Sequence, residues 1–285
     1  MRATQSPDGS RRRRFRSVVR GIRGRQPEPT DRSGDPDLLA LVAEPYTDVE
    51  AVHRELGALL RAFETREDRR AVFLGIYARM TDAVGRRVQR RAFTDPDWVA
   101  DYLVAFANRY RVAVRDFETG DTDALADPWW LAFEAADGGD SLVLQDAMLG
   151  VNAHINYDLA LALDDVGVGA DRPSKYADHC AVIDVIAELV DEAQDGLADR
   201  DADGLAALDS SLGRFDEWLT VVTIDECRDS AWRTAVAMDS RFRSRRRVAR
   251  WLNDRTATGA AHLIRSSRSS DRVHDALVDL ERTDG

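Results

Sequence analysis

The sequence predicts an all-α protein: a single multi-helix bundle around a buried central helix, with a disordered N-terminal arm. Three observations carry that prediction. Apolar residues recur at helical spacing along nearly the whole chain, and no run alternates with the two-residue period of a strand. Helix-start signals such as Thr94-Asp95-Pro96 and Asp127-Pro128, and breaks such as Gly138-Gly139, divide that pattern into helix-sized pieces. One stretch, Leu142 to Leu163, is apolar almost all round, the pattern of a helix enclosed by others.

Residues 1–40 mix Arg, Ser, Gly and Pro with almost no apolar periodicity, so they are expected to form the arm, and residues 41–285 the helical domain. The Arg11–Phe15 run RRRRF lacks the apolar stretch that an export signal needs. Order is expected from Thr47, which with Glu50 fits a capping box ahead of Val49, Val52, Leu56, Leu60 and Phe63. A second helix follows from about Glu67, burying Val72, Phe73, Ile76, Tyr77, Met80 and Val84. The Thr94-Asp95-Pro96 start opens a third, with Val99, Leu103, Phe106, Ala107, Tyr110 and Val114 on its apolar stripe. Asp127-Pro128 starts a short aromatic helix with Trp129, Trp130 and Phe133, and Asp140 or Ser141 can cap the central one. After Gly167, Gly169 and Pro173, a helix is led by Tyr176, Cys180, Ile183, Ile186 and Val190. Leu205, Leu208, Leu212, Phe215, Trp218, Leu219 and Val222 suggest further helix. Trp232, Val236 and Val248–Leu252 continue the core pattern, and a last helix bears Val273, Leu277 and Leu280.

Composition narrows the function. Lys175 is the one lysine against 39 arginines, and Asp outnumbers Glu by 38 to 13, the balance an acidic, salt-adapted proteome favours. The net charge of −11 argues against general nucleic-acid affinity. Residues 1–32 nevertheless carry ten Arg against Asp8, Glu28 and Asp31, so nucleic acid is expected, if at all, only at the arm. Two cysteines, Cys180 and Cys227, form neither a disulfide framework nor a zinc knuckle and fit reduced thiols in a cytoplasmic protein. The central stretch has the length of a membrane span, but its amide, imidazole and carboxylate groups make insertion costly.

Those polar groups mark the candidate site. Asn152, His154, Asn156 and Asp158 lie within an otherwise apolar helix, and burying them costs a few kcal/mol each unless they are paired. His154 and Asp158, four residues apart, project about 40° from one another around an α-helix. Ala147, Gly150 and Ala162 share that face and leave room for a ligand, a water or a neighbouring side chain. His179 projects from the buried side of its own helix, with Asp164 near the end of the central one. His154, Asp158, His179 and Asp164 are thus the candidate metal ligands, for zinc or, through carboxylates and amides, Mg or Mn. Asn152, Tyr157 and Arg228 are candidate substrate-binding groups, with Arg228 able to meet Asp158 or an anionic substrate. Asn108 falls off the apolar stripe and is expected to be exposed. A closed network in which Asp158 fixes one tautomer of His154 accounts for the pair equally well.

The run Gly150-Val-Asn-Ala-His-Ile-Asn-Tyr-Asp158-Leu, with FANRY at Phe106–Tyr110 and the Phe93–Trp98 segment, resembles domain-of-unknown-function family 5995 from about Asp48 to Leu252. That resemblance implies an all-helical fold and brings no assigned activity. Leu149-Gly150, His154 and Asp158 are also similar to the LG-x-x-x-H-x-x-x-D helix of zinc-dependent phospholipase C and its nuclease relatives. That likeness implies metal-ligating roles for the His and Asp; the family's further His, ten positions on, is replaced by Asp164. The chain has five histidines in all, fewer than a trinuclear site of that type uses.

Two functions follow as expectations. One is a metal-dependent hydrolase acting on a phosphate ester or similar small molecule at His154 and Asp158. The other is a non-enzymatic helical binding or scaffold protein in which the pair is a structural polar network.

Overall fold

The computed structural model describes residues 34–266 apart from 122, 140, 170 and 199–223, and describes only the backbone at 144, 186–198, 224 and 225. Residues 1–33 of the expected 1–40 arm, and the helices expected within 205–222 and at 273–280, lie outside the described residues. The described residues are all-helical. In chain order they form α1 (Pro36–Leu41), α2 (Val49–Thr65), α3 (Arg70–Gln89), α4 (Pro96–Glu118), α5 (Asp127–Gly138) and α6 (Val143–Val151). A π turn (Asn152–Asp158) then leads into α7 (Leu159–Val166), followed by α8 (Arg172–Ala198), α9 (Ile224–Met238) and α10 (Arg243–Ser266).

The helix starts follow capping chemistry. Asp95 accepts from the Trp98 amide at 3.1 Å with Pro96 at the first position, as the sequence indicates. Asp35-Pro36 repeats the device. The Asp35 carboxylate caps α1 through the Asp37 and Leu38 amides, and Leu38 and Val42 join the core, so folded structure begins before residue 41. Asp48, not Thr47, caps α2 by accepting from the Ala51 amide at 2.8 Å, while the Thr47 hydroxyl donates to Asp48. Asp127 sits inside its helix and pairs with Arg255. Gly139 and Gly167 adopt the left-handed φ values (63° and 76°) that favour glycine at these breaks.

The central helix comprises α6, the π turn and α7, and is enclosed as predicted. α3 and α5 pack on α6, α4 and α9 on α7, and α10 on the π turn. Gly150 decides the approach of α3: a Cβ there would lie 2.4 Å from Phe73 Cγ and 2.7 Å from Phe73 Cβ. The room that the small residues leave is thus filled, at Gly150, by Phe73. Gly150→Ala is expected to destabilise the fold by about 1–3 kcal/mol, because Phe73 is anchored at its Cβ and cannot simply rotate away. A urea midpoint equal to that of the wild type would refute this.

Two ties went unforeseen. Asn108 is not exposed: its amide donates to the Tyr46 carbonyl and its oxygen accepts from the Tyr46 amide, both at 2.9 Å. Arg111 adds bonds to Asn108 and to the carbonyl of Val42, so the FANRY helix fastens the strap between α1 and α2. Buried Asp178 accepts from the Thr94 and Asp95 amides, each at 2.7 Å, and fixes the start of α4. The expectation for Val248–Leu252 is corrected: Val248 (55 % exposed), Trp251 (49 %) and Leu252 (50 %) face outward. Ala249, Asn253, Ala257, Ala261 and Ile264 face the core instead, because small residues let α10 lie close against the π turn.

Candidate functional site

The segment containing His154 and Asp158 departs from α geometry. The Leu159 amide bonds the carbonyl of His154, five residues back, so the helix carries one extra residue in that turn. The wider turn is held from outside. Asn152 Nδ2 donates to the Ala257 carbonyl at 2.9 Å, and Asn253 Nδ2 donates to the Tyr157 carbonyl at 2.8 Å. Asn156 donates to Asn152 Oδ1, which fixes that amide's orientation. Asn152 is therefore a strut between helices, and Tyr157 contributes its backbone to the same contact.

Within this frame His154 Nδ1 lies 3.0 Å from Asp158 Oδ2, both side chains being almost wholly buried. Trp129 Nε1 donates to the same oxygen at 2.8 Å. An indole N–H can only donate, so Oδ2 accepts from Trp129. With Asp158 ionised, Oδ2 also accepts from His154, which puts the imidazole proton on Nδ1 and, in the neutral ring, leaves Nε2 with its lone pair. Burial pushes the imidazole's pKa down, against the pull of Asp158, and pushes the Asp158 carboxyl up, against the hydrogen bonds from His154 and Trp129.

Aromatic rings surround the imidazole. Phe106 stacks on it at 3.6 Å between centroids, Tyr77 meets it edge-on at 4.3 Å, and Phe73, Trp129 and Tyr110 complete the cage within 6.1 Å. His154 Nε2 is buried and has no hydrogen-bond partner among the described residues. Nor have the hydroxyls of Tyr46 and Tyr110, while that of Tyr77 has only Thr81 near it. Burial raises the pKa of all three phenols, so they stay neutral donors. The sequence places Trp129 in a short aromatic helix; its role as donor to Asp158 needed the packing of α5 on the central helix. Phe73 and Phe106 are likewise legible only as core.

The other predicted ligands lie elsewhere. His179 is buried between Tyr102, whose hydroxyl faces Nδ1 at 3.2 Å, and the Arg228 carbonyl, 3.2 Å from Nε2. Asp164 pairs with Arg250 at 2.7 Å, and the Arg228 guanidinium bonds Asp229 rather than Asp158. Among the described residues no group of three or more His, Cys, Asp or Glu is arranged to hold a metal ion. The phospholipase-like spacing thus gains no support: it presumes a regular helix and a ligand at position 164, and here the helix is widened and Asp164 is engaged.

His179 provides a pH prediction. Burial lowers its pKa to about 4, opposed by the hydrogen bond to the Arg228 carbonyl. With an unfolded value near 6.5, the folded form binds the proton less well. Its contribution is whole above pH 6.5 and is lost as pH falls from there towards 4, about 3 kcal/mol in all. Urea midpoints at pH 7 and pH 4.5 should fall apart less in His179→Phe than in the wild type; equal slopes would refute the assignment.

A family model described as a family of unknown function (DUF5995) matches residues 49–267. No curated protein and no solved structure matches the chain. Among the described residues, no helix is long and apolar enough to cross a membrane.

Proposed function

The chain belongs to the DUF5995 family, and from that starting point we propose that His154 is the working group of a buried, metal-independent small-molecule site. The observation that carries this reading is His154 Nε2, buried without a partner among the described residues, while Nδ1 meets Asp158, itself held by Trp129. A buried polar atom left unpaired costs about 1–3 kcal/mol, so a ligand that satisfies it gains by doing so. The cage selects a flat, largely apolar molecule offering a hydroxyl or N–H to Nε2, with the tyrosine hydroxyls as further donors. A neutral imidazole oriented by a carboxylate is also the arrangement of a general base, so His154 would take a proton from that group while Asp158 stabilises the imidazolium. A phosphate ester suits the site less well: Arg228 is turned to Asp229, and aromatic walls do not solvate a dianion.

The test is a long-range 1H–15N spectrum of histidine-labelled protein. The expected result is a neutral His154 with unprotonated Nε2, whose signal shifts with some members of a library of aromatic alcohols and amides. A protonated Nε2, or a signal that none of them moves, would overturn the proposal.

A second reading rests on the cage itself. Five rings around one imidazole describe a closed core as well as a binding site, and the His–Asp–Trp chain would then serve to fix how α5 meets the central helix.

A further inference from the structure

Four of the most exposed large apolar side chains among the described residues fall in one eleven-residue stretch: Phe242, Val248, Trp251 and Leu252, each about half exposed. The last three stand at i, i+3 and i+4, so they form a single outward strip on α10, opposite the face that packs on the π turn. That stretch also holds exposed Arg243, Arg245, Arg246, Arg247 and Arg250, with exposed Arg241 just before it. Arg250 is tied to Asp164, and Arg241 lies over the Phe242 ring. The other four carry no ion pair among the described residues, in a protein whose net charge is −11.

We propose that this strip of α10 docks on an anionic phospholipid surface. Guanidinium groups with no ion pair among the described residues, beside an exposed Trp, Phe, Val and Leu, make up the amphipathic pattern of a helix lying in a membrane interface. The arginines engage lipid phosphates, and the apolar strip enters the boundary between headgroups and acyl chains. The attraction is local, because charge beyond a Debye length of about 8 Å is screened, so the acidic remainder of the protein does not cancel it. A nucleic acid would satisfy the arginines but offers little to Val248 and Leu252. A second copy meeting the same face would set its arginines against these. The proposal is independent of the His154 site.

The test uses the full-length chain and co-sedimentation with vesicles of phosphatidylglycerol and phosphatidylcholine, alongside vesicles of phosphatidylcholine alone and a random-sequence DNA duplex. The expected result is binding to the anionic vesicles only. It should weaken at least tenfold both in the R245E/R246E/R247E variant and in V248S/W251S/L252S, with circular dichroism and thermal midpoint close to the wild type. Trp251 fluorescence, taken as the difference between wild type and Trp251→Phe, should shift to the blue on binding. Absence of binding to anionic vesicles would overturn the proposal, as would a preference for DNA. Equal binding by the variants would also overturn it, since it would assign the affinity to the arginines of residues 1–32.

Discussion

Replacing His154 by alanine is expected to lower stability by about 3–5 kcal/mol, one of the two largest effects of a single substitution in this protein. The change removes the imidazole from the middle of five aromatic rings and takes from Asp158 one of the two donors that hold its carboxylate. An almost fully buried carboxylate that loses a partner costs about that much, because the low-dielectric surroundings offer no replacement for water. Replacing both members, His154→Leu with Asp158→Leu, should recover much of the loss, since apolar side chains of similar size suit the cage. The recovery will be incomplete: the Trp129 N–H is left unpaired, at about 1–3 kcal/mol. Equilibrium urea unfolding of the two variants decides the matter. A double variant no more stable than the single one would show that the pair is not what burial makes costly. Ligand-induced shifts separate function from stability, because a restored fold without Nε2 should bind none of the aromatic alcohols or amides that the wild type takes.

The second large effect is expected at Glu118. Its carboxylate receives Arg70 Nη1 at 2.6 Å and the Asp35 amide at 3.2 Å, so it joins the end of α4 to the start of α3 and the entry to α1. Arg70 is nearly buried over the rings of Phe63 and Phe117. Burial alone would lower its pKa, but the bonds to Asp68 and Glu118 override that and raise it, so the guanidinium stays charged inside the protein. Glu118→Ala leaves that charge with Asp68 alone, and a loss of about 3 kcal/mol is expected, at the lower end of the range for a broken buried pair. Glu118→Gln, which keeps an acceptor for Arg70, should recover part of it. A loss below about 1 kcal/mol for Glu118→Ala would place this pair with ordinary surface ion pairs.

How far each feature was legible depended on how local its cause is. The Asp95-Pro96 start and the Gly139 and Gly167 breaks are decided within a few residues, by a capping carboxylate, a fixed proline φ and a left-handed glycine. Asp35-Pro36 carries the same signal, and it produces a stable turn only because Leu38 finds the core. The central position of Leu142–Leu163 was legible because an all-round apolar helix has nowhere else to go. The closeness of His154 to Asp158 was legible because four-residue spacing sets it on any helix.

What the sequence by itself determined, then, is the helical class, the central helix and the buried pair. The tertiary structure alone decided that the pair stands on a π turn, since α and π turns share their local preferences. The extra residue is held here by amides reaching across to and from α10, some hundred positions away in the chain. It also decided that Trp129 is the second donor to Asp158, that Phe73 fills the space at Gly150, and that His179 and Asp164 answer to Tyr102 and Arg250 instead. Periodicity tells which residues of one helix share a face; it does not say which neighbour that face meets. On α10 this reversed the expectation, because the alanines beside Trp251 allow the closer packing and leave the larger apolar groups outside.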